Sequence, residues 1–247
     1  MEFSKKKNIY LMDYVRNFYE FTLKYKNHLF VLLLFAIAFL GLSIGYLFYK
    51  AGLQKRAQKD LVKDITILQA PVHTPDMKSE ALKLDSEFFT SQEEKWTKVL
   101  QNFESSYQKN KSAGIAPMFL AYQAEALINL GKIDNAVQVL KKLVEISPES
   151  VAKSFYKVKT ALVGIDSDNK ELEKNGLENL RYIALDSQNA VQPMALYYLG
   201  QYYWFVKNFD EAKNYWNQLI LKYGKKTEKH SEWADRAKIY LKLISVK

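Results

Sequence analysis

The sequence predicts an all-α chain, one N-terminal transmembrane helix followed by an α-solenoid of stacked helix pairs. Three observations predict it. Leu29–Tyr49 is a run of 21 residues with no charged side chain and no Asn or Gln. From about Ala81 onward, apolar residues recur at three- and four-residue intervals, with almost none of the two-residue alternation of strands. Two stretches, centred on Ala136 and Ala212, place small and large apolar residues at the same offsets.

A helix rises 1.5 Å per residue, so about 20 residues cross the roughly 30 Å hydrocarbon core, and a helix satisfies its own backbone where no water can. Lys24, Lys26 and Lys50 flank Leu29–Tyr49 as the two water boundaries. The run exceeds the roughly 7 to 15 residues of a cleaved signal peptide's apolar region, and no small-x-small site follows Tyr49, so a retained signal anchor is expected. Six basic residues precede the span and five follow within about 20 positions, a slight positive-inside bias. With a short leading segment and a long trailing one, the bias predicts a cytoplasmic N-terminus and a C-terminal domain on the far side.

Four regions follow. Residues 1–28 form a cytoplasmic amphipathic segment, with Leu11, Tyr14, Val15, Phe18, Phe21, Thr22 and Tyr25 opposite Asp13, Arg16, Asn17 and Glu20. This stripe suits either the headgroup region or a partner subunit. Residues 29–49 are the span, in which Gly41 and Gly45 make a G-x-x-x-G step that permits close approach of a second membrane helix and hence a homo-oligomer. Residues 50–80 read as a stalk helix, striped by Leu53, Ala57, Leu61, Ile65 and Leu68, and a linker carrying Pro71 and Pro75. Residues 81–247 are the repeat domain.

Composition excludes several functions. The chain has no cysteine, which rules out disulfides, thiolate metal sites, cysteine nucleophiles and a lipidated N-terminal cysteine. Its net charge of +9 is spread as +3 before the span, +2 over 50–80 and +4 beyond, with only four arginines, Arg16, Arg56, Arg181 and Arg236. Lysines alternate with acids along helices, the pattern of a solvated face, and no nucleic-acid partner is expected.

Around Ala136 stand Ala124, Leu127, Gly131, Leu140, Leu143 and Pro148; around Ala212, at matching offsets, stand Gly200, Tyr203, Lys207, Trp216, Leu219 and Gly224. The spacing resembles the tetratricopeptide repeat, in which small residues let two helices cross closely and Pro or Gly ends the second. Lys207, where the first copy has Gly131, and Gly224 in place of proline are departures. Trp233, Ala237 and Tyr240 fit a final capping helix, and Trp96, Leu100 and Phe103 fit a second helix lacking a first. Between Ser150 and Ser187 a degenerate pair is expected, with Phe155, Val158 and Leu162 on one helix and Leu177, Leu180 and Ile183 on the other.

First helices of such a TPR-like solenoid line its concave face. The repeat's groove positions fall on Met118, Ala121, Glu125, Ile128 and Asn129, then on Met194, Tyr197, Gln201, Trp204 and Phe205. The protein-binding candidates among them are Met118, Glu125, Asn129, Tyr197, Gln201, Trp204 and Phe205. Tyr197, Tyr198, Tyr202, Tyr203, Trp204 and Phe205 cannot all point inward from one helix, and whether the surplus rings face a groove or are sandwiched between neighbours is open at this point.

Chemistry is sparse. His28, His73 and His230 lack partners at metal-ligand spacing and read as solvated. Gly224-Lys225-Lys226-Thr227 has Leu219 where a phosphate loop needs its first glycine, and Asp166–Asn169 has Glu171 where a calcium loop needs glycine. No catalytic residue, metal or cofactor is expected, and the chain reads as a non-enzyme.

The order of parts resembles the YfgM-like family over about residues 10–247. The resemblance rests on FYEFTLKYKNHLFVLLL entering the span, GKIDNAVQVLKKLVE in the first repeat, and NFDEAKNYWNQL followed by WADRAKIYLKLI at the end. It implies a bacterial inner-membrane protein whose domain faces the periplasm and associates with the Sec translocon and periplasmic chaperones. An envelope scaffold for cell-wall or outer-membrane assembly would carry the same features.

Overall fold

The computed structural model describes residues 14, 16–72, 88–225 and 230–245. Leu11 and Val15 of the N-terminal stripe, His73 and Pro75 of the linker, and Lys226 and Thr227 lie outside the described residues. The described chain is all-α, with an isolated bridge pairing Val72 with Phe89 as its one β feature. The helices are α1 (16–24), α2 (Lys26–Gln69), α3 (Gln92–Asn110), α4 (Ala116–Asn129), α5 (Ile133–Ile146), α6 (Val151–Ile165), α7 (Lys170–Leu185), α8 (Gln192–Phe205), α9 (Phe209–Tyr223) and α10 (Glu232–Ser245).

Two compact units result, Met1–Lys55 and Arg56–Lys247. In the first, α2 begins one residue after the break at Tyr25 and continues unbroken through Gly41 and Gly45. Among the described residues it is the helix long and apolar enough to cross a membrane. Its apolar side chains, Phe35, Leu42 and Phe48 among them, point outward. The Ser43 hydroxyl donates to the Phe39 carbonyl at 2.8 Å, so this polar group is satisfied within its own helix.

The second unit begins earlier than the sequence suggested. Ala57, Leu61 and Ile67 of α2, with Ala70, are buried in one cluster with Phe89, Val99, Phe103 and Tyr107. The stripe read as a stalk is therefore a core-facing stripe, and it supplies the first-helix partner that α3 lacked. The bridge at Val72–Phe89 returns the chain so that α3 runs alongside, and Lys95 Nζ donates to the Ala70 carbonyl at 2.8 Å at the C-terminal end of α2. Ser91 caps α3 by accepting from the Glu94 amide at 3.1 Å, and the Glu94 carboxylate accepts from the Thr90 amide.

From α4 onward the helices stack in pairs, α4/α5, α6/α7 and α8/α9, with α10 closing the series. Small residues sit at the crossings. Ala124 and Ala136 are fully buried between α4 and α5, and a side chain at Gly176 of α7 would collide with the Ala161 carbonyl of α6. The turns of the first and third pairs are the same motif. Gly131 (φ 69°) and Lys207 (φ 63°) adopt the left-handed conformation, and the bonds Lys132 N to Leu127 O and Asn208 N to Tyr203 O, both 2.8 Å, close each helix end in Schellman fashion. Lys207 thus holds a backbone conformation that glycine adopts without strain.

One polar seam crosses the α2–α3 contact. Asn110 donates to Asp60 Oδ2 at 2.7 Å, and Asp64, 4% exposed, is hydrogen-bonded to Ser106 through its carboxyl group. Asp64 Oδ2 has no partner among the described residues. Burial raises the Asp64 pKa above the ordinary carboxylate value, the Ser106 bond opposes that rise, and nearby Asp60 adds to it against Lys63 and Lys109. A raised folded-state pKa means that the native protein binds the proton more tightly than the unfolded chain. Its contribution is fully present below the unfolded value of about 3.9 and is lost as pH rises through the folded value. The difference in unfolding midpoint between wild type and Asp64→Asn, measured by urea titration of the full chain in detergent from pH 4 to 7, is expected to shift in favour of Asn as pH rises. A difference independent of pH would contradict the assignment.

Candidate functional site

The aromatic helix α8 is apolar on every face, so amphipathicity alone does not set its rotation. A directional contact does. The fully buried Trp216 of α9 donates its indole N–H to the Tyr197 carbonyl at 3.1 Å and lies against Gly200, where any Cβ would collide with the ring. With α8 held this way, its rings divide among three environments. Tyr197, 6% exposed, is core, within 5.1 Å of the Trp233 ring and 6.2 Å of Tyr240, and burial pushes its hydroxyl pKa up to about 12. Tyr203 stacks on Tyr215 at 5.5 Å and accepts from the Arg181 guanidinium at 2.5 Å. Tyr198, Tyr202 and Phe205 turn toward α6, and Trp204 is shared between that side and Tyr240.

These residues line a cleft of about 440 Å³. Leu162, Ile165 and Asp166 form the α6 side; Tyr198, Gln201, Tyr202, Trp204 and Phe205 form the α8 side. Gln201 is held by its Nε2 donating to the Tyr197 hydroxyl at 2.9 Å. Phe205, 82% exposed, stands at the rim. Asp166 is the C-cap of α6 and remains open to solvent, and partial desolvation raises its pKa. Asn169, in the stretch compared with a calcium loop, caps α7 by accepting from the Glu171 and Leu172 amides.

The groove residues expected from sequence are placed as follows. Gln201, Trp204 and Phe205 meet in the cleft. Met194 and Tyr197 are buried and unable to meet a partner. On α4, Met118 is 40% exposed, Glu125 is ion-paired to Lys159 of α6 at 2.6 Å, and Asn129 donates to its own helix at the Glu125 carbonyl. The Glu125–Lys159 pair joins successive first helices. Sequence reasoning left open whether Tyr198 and Tyr202 face a groove, and it did not assign Leu162, Ile165 and Asp166 of α6 to the site. The signal was present, because Tyr198, Gln201, Tyr202 and Phe205 follow i, i+3, i+4, i+7 spacing. His230, read as solvated, pairs with Asp235 at 3.0 Å.

Two family models, both of the tetratricopeptide repeat, match residues 123–150 and 194–225. The chain carries tetratricopeptide repeats. The first match covers the end of α4 and all of α5; the second covers nearly all of α8 and all of α9. Comparisons with curated proteins and with solved structures gave no significant match. The repeats indicate a protein-interaction scaffold with protein partners.

If the Gly200–Trp216 crossing sets the rotation of α8, a methyl group there forces the helices apart. Gly200→Ala is expected to destabilise the full chain by roughly 1–3 kcal/mol, the usual cost of overpacking a filled core. The same change is expected to alter near-UV circular dichroism from the aromatic cluster. Unfolding midpoints and aromatic signal equal to wild type would contradict this.

Proposed function

We propose that this chain is a non-enzymatic, membrane-anchored scaffold that holds polypeptides in the α6–α8 cleft. The cleft carries the reading, since it gathers solvent-accessible aromatic rings, the side chains that dominate protein–protein hot spots, on the first helices of a repeat family built for protein contacts. The uncharged outward-facing stretch 29–49 supports a single-pass anchor in the bacterial inner membrane, and the weak positive-inside bias supports a cytoplasmic N-terminus with the repeats in the periplasm. The resemblance in the span and the two repeats supports partners at the Sec translocon and among periplasmic chaperones. The G-x-x-x-G step of Gly41 and Gly45 supports association of two spans along this strip.

Proximity labelling from the C-terminus in intact cells, with a topology reporter at the same end, tests the reading. The expected result is a reporter active outside the cytoplasm, labelled translocon subunits and chaperones, and recovery of a differently tagged second copy that Gly45→Ile abolishes. A cytoplasmic C-terminus overturns the orientation, a labelled set confined to cell-wall or outer-membrane assembly factors overturns the translocon assignment, and capture unaffected by Gly45→Ile overturns the span contact.

A further inference from the structure

The walls of the α6–α8 cleft are unequal in charge. The α8 side is aromatic and neutral, while Asp166 supplies the single charged side chain among the described lining residues. Its carboxylate has no hydrogen bond or ion pair among the described residues, whereas Glu125 and Glu173, acids of the neighbouring helices, are matched by Lys159 and Lys170. Asp166 also ends α6. The last carbonyls of that helix carry partial negative charge, and only some are satisfied locally, by Asp166 N to Leu162 O and Ser167 N to Gly164 O. The cleft therefore combines a carboxylate unpaired among the described residues, a negative helix end and several aromatic rings, with no cation among its described lining residues, Lys170 and Arg181 standing nearby on the Tyr202 side.

We propose that this cleft takes an arginine side chain from an otherwise apolar polypeptide segment, with the guanidinium between the Asp166 carboxylate and the rings of Tyr202 and Trp204 and the flanking apolar residues on Phe205. Arginine is favoured over lysine because its planar, weakly hydrated guanidinium stacks on aromatic faces while it bonds a carboxylate, and an ammonium must give up more hydration to do so. Gln201, fixed by Tyr197, offers an amide oxygen to the remaining guanidinium N–H groups. The proposal deepens the polypeptide-binding reading above and rests on it.

The test is selection of randomised heptapeptides displayed on phage against the full chain immobilised in detergent. Wild type is expected to enrich peptides with one arginine beside aliphatic or aromatic residues, by about tenfold over lysine in the same position, the size of effect that the guanidinium's second hydrogen bond and its stacking on an aromatic face carry together. Asp166→Asn is expected to lose the arginine preference while keeping the apolar one, and Asp166→Lys to exchange it for aspartate or glutamate. Phe205→Ala is expected to weaken both preferences. Apolar enrichment without arginine, or arginine enrichment undiminished in Asp166→Asn, overturns this inference and leaves the polypeptide-binding reading standing. Failure to enrich any peptide overturns both.

Discussion

The repeat domain depends most on the crossing of α8 and α9, where the Trp216 indole lies on Gly200 and donates to the Tyr197 carbonyl. A helix that is apolar all round gains nearly the same hydrophobic energy in any rotation, so burial alone leaves its register undetermined. One hydrogen bond of fixed direction and one residue without a Cβ remove that freedom. The consequence reaches about one residue's rotation along the whole helix. Tyr197 is committed to the core against Trp233 and Tyr240, and Tyr198, Gln201, Tyr202 and Phe205 are committed to the cleft.

The same logic governs each end of α2. Residues 29–49 present apolar side chains that nothing in their own unit covers, which is the surface a bilayer would cover. From Ala57 the stripe is covered by protein, and there the helix accepts polar groups that it could not carry in lipid, Asp60 and Asp64 facing Asn110 and Ser106. Such a seam costs stability where Asp64 Oδ2 has no partner among the described residues, and it fixes the register of α2 on α3 more firmly than alanine and leucine alone. Lys207 is a comparable concession, a left-handed lysine where the first repeat uses Gly131.

Much of the fold was legible because it rests on local, additive signals. Absence of charge over a bilayer's thickness marked a helix long and apolar enough to cross a membrane, and the offsets around Ala136 and Ala212 marked the helix crossings without any knowledge of neighbours. What was not legible depended on partners far apart in sequence. The stripe Ala57–Leu61 looks the same whether it faces water as a stalk or Phe103 as core, and only the return of the chain at Val72–Phe89 decides between them. The cleft was half legible: Gln201, Trp204 and Phe205 were found by repeat position, Tyr197 was assigned to the wrong face because Trp216 sets the rotation, and Asp166 was seen only as part of a failed calcium loop.

That an exposed aromatic face on the repeats meets polypeptide is the central claim, and two positions of equal exposure test it. Phe205 and Leu221 are each 82% exposed, but Phe205 rims the cleft and Leu221 lies on α9, away from the cleft lining. A photoreactive residue placed at either position in the full chain, irradiated in intact cells, reports what touches each. The account predicts polypeptide adducts from position 205 in clear excess over position 221. Equal yields at the two positions, or no polypeptide adduct at 205, would contradict it.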